Sequence, residues 1–124
     1  MTIQEAIDRV DMIKPNQFSF DQKLAWLSEL DGLVFKELIL THENAVDPDY
    51  IGYDAATPTD TQLLVPFPYT DVYFFYLCSQ IDLGNAEIAK YNNSKTLYNN
   101  AYQTLVDYWN RTHMPMGLVT HFKL

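Results

Sequence analysis

Apolar residues in the first forty positions recur with the spacing of helix faces. Ile3, Ala6, Ile7 and Val10 share one face, and Thr2 with Glu5 has the spacing of a capping box at its start. The pair Pro15-Asn16 marks a turn. Ser19 with Gln22 forms a second box and opens a longer helix predicted to run to about Thr41. Leu24, Leu27, Leu30, Val34 and Leu38 make its stripe, widened by Trp26, Phe35 and Ile39. Gly32 inside this helix is compatible with a close helix crossing or with a bend.

From His42 to Pro66 the helical period disappears. This stretch holds Pro48, Gly52 and Pro58, the carboxylates Glu43, Asp47, Asp49, Asp54 and Asp60, and no Lys or Arg. Tyr50–Tyr53 and Gln62–Val65 have the composition to pair as a two-stranded ribbon around an exposed, turn-rich piece. A third helix is predicted from near Pro68 to about Lys90, with Tyr73, Tyr76, Leu77, Ile81, Gly84 and Ile88 on one face. Asn92-Asn93-Ser94 reads as a turn and N-cap for a fourth helix, Lys95 to about Thr112. Its stripe is Leu97, Tyr98, Ala101, Tyr102, Leu105, Tyr108 and Trp109, and Pro115 stops it. The expectation is a mainly α single domain over residues 1–124. It has about four helices, a small β-ribbon or long loop between the second and third, and an extended tail over 114–124.

The aromatic run YTDVYFFYLC surrounds the third helix rather than marking one stripe, so that helix is covered on more than one side. Either it is the central helix of the core, or another subunit covers one flank. Three surfaces are therefore candidates for protein contact. The first is the ribbon, with Tyr50, Ile51, Tyr53, Leu63 and Leu64; the second is the aromatic helix, with Tyr69 and Phe74; the third is the tail, with Leu118, Val119 and Phe122.

Charge narrows the function classes. Sixteen acidic against eight basic residues give a formal net charge of -8, which repels phosphate backbones and anionic membranes. Sequence-specific nucleic-acid binding and membrane association are not expected, and no apolar stretch approaches the ~20 residues of a membrane span. No basic-then-apolar leader opens the chain, so an intracellular setting is the default. Cys78 is the one cysteine, which excludes an internal disulfide, and its apolar neighbours would raise the thiol pKa rather than activate it.

Catalytic and metal signatures are missing from the sequence. Aligning Asp47 and Asp49 as first and third positions of a calcium loop puts Gly52 at the sixth. Ile51 then falls at the fifth and Pro58 at the twelfth, and neither carries a side-chain oxygen. His42, His113 and His121 form no paired metal-ligand spacing, and no nucleophile elbow or phosphate-binding glycine loop is present. No enzyme activity, cofactor or metal is expected.

Several segments, taken in order, resemble one protein family. AIDRVDMIKPN, LAWLSELDG, Thr41-His42-Glu43, LLVPFPY, YNNS and YWNRTHMP span Ile3 to Pro115. Together they are similar to small proteins encoded beside the capsid genes of tailed phages and prophages of Gram-positive bacteria, the head–tail connector or adaptor proteins. The resemblance implies a helical fold, assembly as a ring, and no catalytic residues. It implies portal and tail-side proteins as partners, and a ring that can depend on the portal as template. The implied location is the virion, reached through the host cytoplasm during assembly. A rival class that suits the charge is an acidic DNA-mimic inhibitor of a nucleic-acid enzyme, although such a protein would space its carboxylates along one face.

Overall fold

The computed structural model describes residues 1–42 and 50–113. Four helices form a helical body: α1 (Ile3–Ile13), α2 (Phe20–Val34), α3 (Asp71–Gly84) and α4 (Ile88–Thr112). The mainly α expectation holds. Both predicted capping boxes mark real helix starts. Thr2 Oγ1 accepts from Glu5 N–H while Glu5 Oε1 accepts from Thr2 N–H, and Ser19 Oγ accepts from Gln22 N–H.

Four boundaries differ from the sequence reading. Regular α geometry in the second helix ends at Val34, and a π-helical turn, Phe35–Ile39, carries the chain on. Side chains then take the last carbonyls, Thr41 Oγ1 on Glu37 O at 2.7 Å and the His42 ring on Leu38 O at 2.7 Å. The third helix starts at Asp71 rather than near Pro68, because Pro66–Tyr69 is a turn closed by Tyr69 N–H on Pro66 O. It ends at Gly84, and only Asn85–Glu87 separate it from α4, with Ala86 at a left-handed φ of 57°. The predicted turn at Asn92-Asn93-Ser94 instead lies inside α4. Asn92 and Asn93 face solvent, where a helix tolerates them, and Ser94 Oγ donates to buried Asp82 at 2.7 Å. Gly84 is needed for close approach: a Cβ there would stand 2.6 Å from Cζ of Phe18. Gly32 does not mark a crossing, since a Cβ there would meet Tyr50 Cε1 at an ordinary 3.8 Å.

Among the described residues no strand forms, so of the two expectations for this stretch the long loop holds and the ribbon does not. Its two proposed strands do not pair because their polar groups have other partners. Tyr53 N–H goes to Ser28 Oγ, Leu63 N–H to Met1 O, Leu64 N–H to Asp31 and Val65 N–H to the Tyr73 hydroxyl. One isolated antiparallel bridge, Thr2 with Gln62, ties the connection to the start of α1.

α3 packs against each of the other helices. Val72, Tyr73, Leu77 and Ile81 of this helix are buried with Ile7 and Val10 of α1, Leu27, Leu30 and Val34 of α2, and Leu105 of α4. Its all-round aromatic character therefore fits a central helix. Half-buried Phe74, Phe75 and Tyr76 lie against the edge of that core.

Candidate functional site

The connection between α2 and α3 is held by one carboxylate. Asp31 lies on the core face of α2, seven residues after Leu24, and is wholly buried. It accepts hydrogen bonds from the hydroxyls of Tyr53 and Tyr73, the latter at 2.6 Å, and from Leu64 N–H at 3.1 Å. Burial pushes its carboxyl above the ordinary range, against the opposing pull of those three donors. Burial together with the Asp31 charge pushes the Tyr53 and Tyr73 hydroxyls far above the usual phenol range. Tyr50, whose hydroxyl donates to Ser28 O, is raised to about 12, chiefly by burial. The tyrosine hydroxyls hold their protons and, with Asp31, form a clasp that ties the connection to α2 and α3.

Cys78 and His42 are both buried, while the Tyr102 hydroxyl and Trp109 Nε1 are buried without a hydrogen-bond partner among the described residues. Cys78 is buried and its thiol is raised to about 11, mainly by desolvation, with Lys14 lowering it and Asp82 raising it. His42 is buried between Leu38 O and the Asn110 side chain, each at 2.7 Å from a ring nitrogen. Among the described residues no group of three or more His, Cys, Asp or Glu side chains could hold a metal ion, and no helix is long and apolar enough to cross a membrane.

The sequence-predicted contact residues fall in different environments. Tyr53 and Leu64 belong to the Asp31 clasp, and Leu63 is buried in the core. Tyr50 is half-buried against Phe35, and Ile51 is 96% exposed. Phe74 lies under the Arg9 guanidinium, 4.6 Å from the ring centre. Tyr69 stacks on Tyr108 with centroids 4.5 Å apart. Leu118, Val119 and Phe122 lie outside the described residues.

Tyr69 also lines a surface groove of about 280 Å³ between the start of α3 and the middle of α4. Pro68, Asp71 and Phe75 form one wall; Leu97, Asn100, Ala101 and Thr104 form the other. Phe67, 86% exposed, precedes Pro68. Asp71 is ion-paired with Arg9 at 2.8 Å. The cleft is mostly apolar, and its one charge is paired.

Exposed apolar side chains also occur toward the opposite end of α3, and the sequence reading did not single them out. Lys14 reaches Asp82 at 2.6 Å, Gln17 bonds Asn85, and Phe18 covers Gly84. These contacts bring the end of α1 against the α3–α4 turn. Met12 and Ile13 from α1, and Leu83 and Ile88 beside the turn, are exposed, Met12 at 81%. Met12 lies off the buried face of α1, whereas Ile13 follows Val10 by one turn on that face and is nonetheless exposed at the helix end.

No protein-family model, curated protein or solved structure matches this chain.

Proposed function

We propose that the chain is a structural virion-assembly protein, the head–tail connector that joins portal to tail in a tailed phage or prophage. The observation that carries this reading is the ordered set of segments from AIDRVDMIKPN to YWNRTHMP, which resembles that family over Ile3 to Pro115. Physical features support it. A helical body is braced by buried clasps, as a load-transmitting ring subunit requires. A net charge of -8 around a channel keeps passing duplex DNA from adhering. Apolar surface remains uncovered at two ends of one helix, where contacts with other subunits can form.

The test is assembly with a partner. The purified chain is mixed with portal assemblies from the same phage or prophage, and the particles are imaged by electron microscopy. A ring of added density on the tail-facing end of the portal is expected. A chain that ignores portal and other virion components but inhibits a nucleic-acid enzyme would overturn the reading in favour of DNA mimicry.

A further inference from the structure

The groove beside Asp71 continues along α4 to the C-terminal end of that helix. Leu97, Ala101, Thr104 and Tyr108 recur at helix spacing and share one face. The first three line the groove. Tyr108 carries the face on toward Thr112, with Tyr69 stacked on it at 4.5 Å. Phe67, Pro68 and Leu97 are exposed along this track, while Tyr69, Phe75, Ala101 and Tyr108 are half-buried. A continuous apolar track of this kind marks a contact surface.

The chain that leaves α4 has the length and pattern to cover it. Helical geometry stops at His113, whose backbone is extended at φ -134° and ψ 133°. Met114-Pro115-Met116-Gly117 follows, with Pro and Gly at the second and fourth positions that a type I turn favours. Beyond it Leu118, Thr120, Phe122 and Leu124 alternate with Val119, His121 and Lys123. In an extended segment the first set shares one face. At ~3.3 Å per residue Phe122 lies roughly 13 Å from Leu118. From Thr112 back to Thr104 α4 spans about 12 Å. With Leu118 beside the end of α4, Phe122 therefore comes level with the groove.

Charge favours this occupant over a second copy. Residues 114–124 hold His121 and Lys123 and no Asp or Glu, in a chain with sixteen acids against eight bases. Asp71, its side chain 58% exposed, lines the groove. Exposed Asp107 shares the flank of α4 that carries Asn100 and Thr104. A second copy brings a net charge of -8 to the same place and is repelled. A short tether also supplies an effective concentration on the order of millimolar, which a free partner must match.

We infer that Leu118–Leu124 docks along this face of α4 in the same chain, with Phe122 seated in the groove between Phe75 and Ala101 and with His121 and Lys123 turned outward. A partner that uses the groove has to displace the tail. The docking needs no portal and stands apart from the connector reading.

Thiol protection tests it on the purified chain. Thr104→Cys places an exposed thiol in the groove, while Cys78, 7% exposed, reports unfolding. Removing residues 118–124 should speed maleimide labelling of the introduced thiol by roughly tenfold, as when about nine-tenths of the chains are docked. Phe122→Ser in the full chain should give most of the same gain, and Val119→Ser, on the opposite face, little. Cys78 should stay slow in both variants, and protection in the full chain should persist on tenfold dilution. Unchanged labelling after tail removal would overturn the docking, as would equal effects of Phe122→Ser and Val119→Ser. Protection lost on dilution would assign the groove to a second copy instead. Phe122→Ser that also speeds Cys78 would place the tail in the core rather than on the surface. Portal assemblies are absent from this assay, so each of these outcomes leaves the connector reading to its own test.

Discussion

Tyr73 donates its hydroxyl hydrogen to Asp31 across 2.6 Å, and the same Tyr73 oxygen accepts Val65 N–H at 2.8 Å. Through this one hydroxyl, α3 holds both the buried carboxylate of α2 and the backbone of the long connection. Removing it therefore orphans two buried groups at once, the situation in which a lost hydrogen bond costs most.

Tyr73→Phe should destabilise the fold by about 2–3 kcal/mol, since the ring still fills its place but a buried carboxyl acceptor and a buried N–H lose a partner. Urea unfolding with an unchanged slope measures it. Tyr53→Phe, at a half-buried position where water can replace the hydroxyl, should cost less. Equal losses would show that Asp31 is not held mainly from α3.

Asp31 also sets a pH dependence with a definite sign. Its folded carboxyl is raised above the ordinary value, so the folded state binds the proton more tightly than the unfolded chain. The stabilisation this gives is fully present below the unfolded value of about 4 and is lost as pH rises through the folded value. Asp31→Asn removes the titration. The stability of the natural chain minus that of Asp31→Asn should therefore fall as pH rises from about 4 and then level off. A difference that grows with pH would mean that the three donors outweigh burial.

The helices and most of the core were legible because caps and stripes are local signals. Thr2 with Glu5 and Ser19 with Gln22 mark starts through backbone donors only a turn away. The ends were harder to read. Asn92-Asn93-Ser94 has turn composition, yet two of its side chains face water and the third reaches Asp82 from inside α4. At the actual turn, Asn85–Glu87, the preceding Gly84 packs closely against Phe18, a residue far away in sequence. The ribbon failed for the same kind of reason. Tyr50–Tyr53 and Gln62–Val65 have strand composition, but Ser28, Asp31 and Tyr73 claim their donors, and a tertiary partner overrides β propensity. Asp31 and Asp82 were readable as acids on apolar helix faces. Their partners were not, because tyrosines and a lysine far along the chain supply them. Of the groove, only Tyr69 was among the contact residues read from sequence, since its walls come from two helices whose register sequence does not fix.

Cys78 should be chemically silent in the folded protein. It is 7% exposed, and desolvation raises its thiol to about 11, so little thiolate forms near neutrality. Reaction with a maleimide at pH 8 should be slow in buffer and rapid in denaturant, with labelling tracking unfolding. Rapid labelling of the native chain would show that the α1–α3 contact beside Lys14 opens readily.

The last prediction concerns that contact, because it joins the end of α1 to the end of α3. Asp82 is wholly buried, with Lys14 2.6 Å from one oxygen and Ser94 donating to the other. The Lys14 side chain is 28% exposed, so solvent screens the pair in part. Lys14→Met should cost about 2–3 kcal/mol, less than for a fully enclosed pair, by leaving a buried carboxylate without its cation. Lys14→Met combined with Asp82→Asn should recover much of that loss, because the neutral amide can still accept from Ser94 while no buried charge remains. Thermal unfolding of the two single variants and the double variant gives the coupling directly. An additive double variant would mean that the Lys14 charge does not act through Asp82, whereas strong coupling would mean that the ion pair fixes the end of α1 against the α3–α4 turn.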